Sequence, residues 1–352
     1  MTSTLDPTLA RRALRVVLTT RAVDERLWIL ARQGRAGFVL TPRGHEVAQV
    51  LSTAALRRGV DWAWPYYRDL GVGLALGVTP YELFLSALAR ADDPHSGGRQ
   101  LSSHLSSPSL RIGSVSSEVA AHVPHAVGTA YASWVRGEDA VSVCWFGDGA
   151  TSEGAVHEAM NVAGVQRLPV VFVCEHNGYA ISVPSDRQVA GDSFAGRADA
   201  YGMGRGASVD GCDADAVFAA MSVALDRARR GDGPAVVELR VPRITPHSSQ
   251  DDDSYRTEDE VAAAAARDPV DRLRREVVER GVATKEEVDA LDERIHTSVA
   301  AAAARAVEAP EPTLERARRW LLAGDEPHEH RSALDAARPA PGVFADDPEV
   351  DA

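Results

Sequence analysis

Residues 141–154 read VSVCWFGDGATSEG, and residues 169–182 read PVVFVCEHNGYAIS. Each begins as a short apolar run and ends in polar chemistry, the first at Asp148 and the second at Asn177. Short apolar runs bounded by turn residues suit strands covered on both faces. The stretch between them reads as a helix, so the unit is strand–helix–strand, with a parallel pair and a right-handed crossover. Ligands of doubly wound sheets sit outside the carboxyl ends of such strands. The fold expected is α/β, a parallel sheet flanked by helices, with Asp148 and Asn177 at its functional end.

The alternation extends outward from this unit. A helix is expected over 7–33, where Leu9, Ala13, Val16, Val17, Val23, Leu27 and Leu30 give an apolar face; Asp6 caps it and Pro7 opens it. Helices follow at 46–57, 80–90, 119–136, 153–164 and 213–230, and strands at 140–146, 169–174, 207–210 and 235–241. Residues 63–69 read as an aromatic and polar loop, 92–117 as a Ser-, Gly- and Pro-rich loop, and 242–258 as a polar loop. A loop as long as 92–117 inside a compact domain is mobile or functional. From 259 the chain reads as helical to about 322. The divisions expected are an N-terminal helical segment at 1–60, the α/β domain at 61–258, a helical C-terminal extension at 259–325 and a flexible tail at 326–352.

A net charge of −13 on 352 residues, with no basic stripe, argues against a nucleic-acid surface. Cys144 and Cys174 lie in apolar runs and Cys212 has no evident mate, so a reducing compartment is expected rather than a disulfide scaffold. No run of eighteen apolar residues exists, and the first residues lack the apolar core of a signal peptide. A cytoplasmic location and no membrane contact are the expectation.

The strand ends carry specific chemistry. Gly147 and Gly149 let the backbone approach a phosphate, and the helix starting near Ser152 offers free N–H groups to an anion. Asp148 supplies a carboxylate oxygen, Asn177 an amide oxygen, and the turn at Gly178 and Tyr179 a main-chain carbonyl. Hard oxygens of this kind suit Mg²⁺ carrying a diphosphate. Gly-Asp-Gly alone is compatible with an ordinary capped turn; two strands with matched polar ends argue for the site.

The stretch GDGATSEGAVHEAMNVAGVQRLPVVFVCEHNGYAISVP at 147–184 resembles the thiamine diphosphate motif, and more narrowly the α subunit of the 2-oxo acid dehydrogenase decarboxylase component. RITPHSSQDDDSYRTEDE at 243–260 is most similar to the branched-chain type, and the resemblance runs from about residue 20 to about 320. It implies the thiamine diphosphate-binding fold and roles residue by residue. Asp148, Asn177 and the carbonyl of Tyr179 would hold Mg²⁺. Gly147, Gly149, Ala150 and Glu153 would line the diphosphate pocket. Tyr67 and Arg68, in WPYYRD, match a pair that contacts the phosphates. Ser117 and Val119 match positions beside the cofactor rings. His247 matches an active-site histidine and His104 a histidine close to the substrate carboxylate, while Glu46 matches a glutamate near the substrate channel. His45, His122, His125, His157 and His176 are expected to be structural or exposed.

There are departures. His176 stands where relatives place asparagine; Glu118, Ala121 and His122 stand where they place residues around a potassium ion; Ser248 aligns with a serine phosphorylated in mitochondrial relatives. The resemblance further implies decarboxylation of a branched-chain 2-oxo acid with acyl transfer to a lipoyl domain of a transacylase core. The pyrimidine-activating glutamate would come from a β subunit, in an α₂β₂ heterotetramer. Pyruvate or acetoin dehydrogenase is the neighbouring alternative. A non-catalytic scaffold and a nicotinamide-dependent oxidoreductase are the others, the last disfavoured because no Gly-x-Gly-x-x-Gly follows an early strand.

Overall fold

The computed structural model describes residues 5–191 and 193–318. In chain order its elements are α1 (Pro7–Arg32), α2 (Glu46–Ala54), β1 (Trp62–Trp64), α3 (Leu70–Leu76), α4 (Pro80–Ala87), α5 (His122–Val135), β2 (Ser142–Gly147), α6 (Gly154–Gln166) and β3 (Val170–His176). A small hairpin of β4 (Tyr179–Ala180) and β5 (Val183–Pro184) follows, then β6 (Ala207–Asp210), α7 (Ala214–Arg229) and β7 (Ala235–Arg240). The chain continues through α8 (Glu258–Ala266), α9 (Pro269–Glu279), α10 (Lys285–Glu308) and α11 (Leu314–Arg318).

The five-stranded sheet has the order β1-β2-β3-β7-β6 and every pair is parallel. Its central strands β2, β3 and β7 are covered on both faces, as their continuous apolar runs require. Val143, Trp145, Val171, Val173, Val237 and Leu239 share one core with α1, α2, α7, α9 and α10. Cys144, Phe146, Phe172, Cys174 and Val236 share the other with α5 and α6. The indole of Trp145 donates to Ser52 Oγ at 2.9 Å, which docks α2 on the sheet.

Helix starts follow local chemistry. Asp6 accepts from the N–H groups of Thr8 and Leu9 at the start of α1, and α4, α8 and α10 each open on a Thr–Glu capping box. Strand β1, helix α3 and the small β4–β5 hairpin went unread in the sequence. Part of the expected aromatic loop is strand β1, with Trp62 N–H donating to Val141 O at 2.9 Å. Three residues ending just before Pro65 are too short to show a period. Helix α3 is hidden by its glycines: a Cβ on Gly71 would meet Gln49 Oε1 at 2.8 Å. The long 92–117 loop is pinned, Asp93 accepting from the N–H groups of His95, Ser96 and Gly98.

The C-terminal helices are part of the main core, Val288, Ile295 and Val299 of α10 being buried in it. The tail expected at 326–352 lies outside the described residues. The three cysteines are free and buried, and burial pushes the Cys212 thiol up to about 12. No described helix is long and apolar enough to cross a membrane.

Asp24 of α1 is buried, with Oδ2 3.3 Å from Arg43 Nε and Oδ1 lacking a partner. Burial outweighs Arg43 and lifts its pKa to about 6. A carboxyl raised on folding helps stability below its unfolded pKa, and that help is lost as pH rises through the folded value. Asp24→Asn is therefore expected to gain about 1–2 kcal/mol over wild type at pH 8. The gain should shrink as pH falls from 6 towards 4; denaturant melts across that range provide the check.

Candidate active site

The exits of β1, β2, β3 and β7 all lie at one sheet end. Because Gly147 of β2 is in register with Glu175 of β3, Asp148 and Asn177 emerge together. The Asn177 N–H faces Asp148 Oδ1 at 3.4 Å, and Asn177 Oδ1 accepts from Tyr179 N at 3.1 Å. Asp148 is 2% exposed, and its Oδ2 is buried without a hydrogen-bond partner. The nearest basic atom is His176 Nε2 at 3.9 Å, its ring held by Glu238 at 2.7 Å. Burial pushes the Asp148 carboxyl up, against the opposing pull of His176 and the Asn177 N–H. Gly149 packs so tightly that a Cβ there would lie 2.8 Å from Ala180 Cβ. Ala150 is buried in the 3₁₀ turn Asp148–Ser152, and Glu153, between that turn and α6, is exposed. Among the described residues no three His, Cys, Asp or Glu side chains form a metal cluster. The donors at this sheet end are a carboxylate, an amide and a carbonyl, a set that fits Mg²⁺ rather than Zn²⁺.

The second group hangs from β1 and β7. Arg68 is buried, and its acceptors are uncharged: Thr41 O at 2.7 Å, His247 O at 3.4 Å and His247 Nδ1 at 3.2 Å. Its Nε has no partner. The Tyr67 ring lies edge-on to His247, centroids 6.1 Å apart, with the Arg68 guanidinium 5.7 Å from the Tyr67 centroid. Burial, Arg68 and Arg243 push His247 down to about 4. Since Arg68 donates to Nδ1, the neutral ring carries its hydrogen on Nε2. Arg243 holds the same loop to the first group, its guanidinium 5.0 Å from the Tyr179 centroid.

The third group comes from the 92–117 loop. His104 Nδ1 meets Ser102 O at 2.9 Å and so carries the hydrogen, leaving Nε2 to accept from Ser117 Oγ at 2.5 Å. Val119 is 49% exposed. Segment 37–41 links the second and third groups: Ser102 Oγ donates to Phe38 O, Ser249 N to Val39 O and Arg68 to Thr41 O.

The dehydrogenase E1 component family matches residues 14–315. This chain belongs to that family. It is 43% identical over 310 residues to the 2-oxoisovalerate dehydrogenase subunit alpha of Bacillus subtilis, covering 88% of this chain and 94% of that one. Against the 3-methyl-2-oxobutanoate dehydrogenase subunit alpha of Mycobacterium tuberculosis, identity is 40% over 268 residues, covering 76% and 70%. Against the mitochondrial 2-oxoisovalerate dehydrogenase subunit alpha of Mus musculus, it is 38% over 262 residues, covering 74% and 58%.

Within this E1 chain, some sequence candidates are already engaged. Both Glu46 oxygens are taken, Oε1 by Arg21 Nε at 2.7 Å and Oε2 by Gly44 N at 2.8 Å, which makes it a buried helix-start carboxylate. Ser248 is 5% exposed. Glu118 is exposed, while His122 is buried and donates from Nε2 to Trp145 O at 2.7 Å. Sequence reading took His45 as structural or exposed and passed over Gln49 and Glu175. Glu175 Oε2 meets His45 Nδ1 at 2.6 Å, Tyr66 OH at 3.1 Å and Gln49 Nε2 at 3.2 Å. A glutamate inside the run PVVFVCEH was the available signal, because an isolated buried charge needs partners.

The His247 ring should stay neutral from pH 5 upward, with its ¹³C-labelled imidazole resonance titrating near 4. Arg68→Met removes one of the charges that depress it, so the titration is expected to move upward. An unmoved midpoint would show that Arg68 does not set the ring's charge.

Proposed function

We propose that this E1 chain is the α subunit of 3-methyl-2-oxobutanoate dehydrogenase (2-methylpropanoyl-transferring), acting on branched-chain 2-oxo acids with thiamine diphosphate and Mg²⁺. The observation that carries the reading is Asp148 Oδ2, buried without a partner beside Asn177 at the sheet end, in a chain 43% identical to a 2-oxoisovalerate dehydrogenase subunit alpha. An unpaired buried carboxylate oxygen is costly unless a cation meets it.

In this reading Asp148, Asn177 and the Tyr179 carbonyl hold Mg²⁺, and Gly147, Gly149, Ala150 and Glu153 line the diphosphate pocket. Arg68 keeps its positive charge available because its own acceptors are neutral, and with Tyr67 it meets the phosphates. Thiamine diphosphate supplies the electron sink for decarboxylation. His247, neutral and protonated on Nε2, donates a hydrogen bond towards the reacting end without adding charge. His104, oriented by Ser102 and Ser117, would face the substrate carboxylate, and Ser117 and Val119 would flank the cofactor rings.

The reading includes a β subunit in an α₂β₂ heterotetramer, acyl transfer to the lipoyl domain of a transacylase core, and a cytoplasmic location. A partner is supported by exposed large apolar side chains: Val119 just before α5 and Tyr131, Trp134 and Val135 on it are 47–62% exposed.

Three measurements test the proposal. The chain alone should not decarboxylate 3-methyl-2-oxobutanoate, and adding the β subunit should restore turnover; full activity of the isolated chain refutes the shared site. Asp148→Ala should abolish Mg²⁺-dependent cofactor binding in calorimetry, and unchanged affinity would remove Asp148 from the metal site. Comparing kcat/KM for pyruvate and branched-chain substrates decides the substrate class.

A further inference from the structure

Beneath the strand ends lies a buried polar cluster that none of the roles above uses. His45, at the start of α2, is fully buried, as are Gln49 of α2 and Glu175 of β3. Three donors converge on Glu175 Oε2: His45 Nδ1 at 2.6 Å, Tyr66 OH at 3.1 Å and Gln49 Nε2 at 3.2 Å. The carboxylate places a hydrogen on Nδ1, and in the neutral ring Nε2 presents a lone pair. That Nε2 is buried and has no hydrogen-bond partner.

A buried acceptor without a donor needs an explanation. Glu175 stands opposite Gly147 in the β2–β3 ladder, one residue before the Gly147–Asp148 turn and two before Asn177. The ring it holds thus lies under the Asp148 turn. Tyr66, which donates to the same Glu175 oxygen, packs against that turn: a Cβ on Gly147 would lie 3.8 Å from its Cε2. Two buried polar atoms, Asp148 Oδ2 and His45 Nε2, lack partners in this one region. Their needs are complementary to a hydrated cation: the carboxylate oxygen takes the metal, and the lone pair takes a hydrogen from its water. Mg²⁺ dehydrates reluctantly and usually keeps waters in its coordination sphere.

We infer that His45 is a positioning residue of the metal site, its Nε2 accepting a hydrogen bond from a water bound to Mg²⁺ while Glu175 holds its Nδ1. This inference rests on the proposed Mg²⁺–diphosphate reading. A phosphate oxygen, which is also an acceptor, does not fit Nε2 in this tautomer. Gln49 keeps the ring's counterpart in place, since it also binds Arg68 O and Asp69 Oδ1, each at 3.2 Å.

The test is a Mg²⁺ titration at fixed thiamine diphosphate, followed by calorimetry on the full chain assembled with its β subunit. His45→Leu should raise half-saturating Mg²⁺ by about 10–100-fold, the usual loss when a group orienting a metal's ligands is removed. His45→Gln, with one donor and one acceptor, should recover most of the affinity. Apo melting temperature is recorded for each variant, because a merely structural role would lower it and leave the Mg²⁺ dependence alone. If His45→Leu does not fold, His45→Asn decides; it keeps a donor for Glu175 but is too short to reach the water, so the same loss is expected. Unchanged half-saturation in a folded variant overturns the role of His45 and leaves the site reading intact. Absence of Mg²⁺-dependent binding in wild type overturns both.

Discussion

The in-register parallel pairing of β2 with β3 is the constraint on which the rest of the site depends. Ser142 opposes Val170 and Gly147 opposes Glu175, so two chain exits twenty-nine residues apart in sequence deliver Asp148 and Asn177 to one place. A slip of one residue would turn each strand's side chains to the opposite face. It would carry Glu175 away from His45 and into the core around Phe172 and Cys174. The register is held by burial on both faces: Val171 and Val173 on one side, Phe172 and Cys174 on the other, none measurably exposed.

Around that pairing the protein arranges charge with little compensation from water. Asp148 is buried with one oxygen unpartnered, and Arg68 is buried among neutral acceptors. Each is costly in isolation. Together they make a region ready for a ligand that brings both a cation and an anion. The Arg68 charge also acts on His247, where with burial and Arg243 it keeps the imidazole neutral. One guanidinium thus stands among neutral acceptors and helps set the protonation of the ring beside it.

Much of this was legible in residues 141–182. The apolar runs and their polar ends marked strands and a strand-end site, and helix limits fell close to those expected: α1 ends at Arg32 and α6 at Gln166. Shorter signals failed. Trp62–Trp64 is a three-residue strand whose pairing comes from Val141 on one side and Arg111 on the other, partners distant in sequence. Helix α3 contains two glycines that lower helix propensity, yet Gln49 needs the space beside one of them. Tertiary packing overrode propensity there.

Resemblance in the motifs pointed to Tyr67, Arg68, His104 and His247, but only the folded chain shows how they are held. Ser102 and Ser117 bracket His104, and Arg68 reads the tautomer of His247. His45 illustrates the same division. In the sequence it is a loop histidine before a helix, with nothing to separate it from a surface residue. Its meaning depends on Glu175, 130 positions away. The sequence by itself determined the strand–helix alternation and the chemistry at the strand ends, because those follow from local periodicity and residue type. Which side chains are buried, which atoms lack partners and which rings are neutral was decided by tertiary structure, because desolvation and hydrogen bonding depend on neighbours that the linear order does not place together.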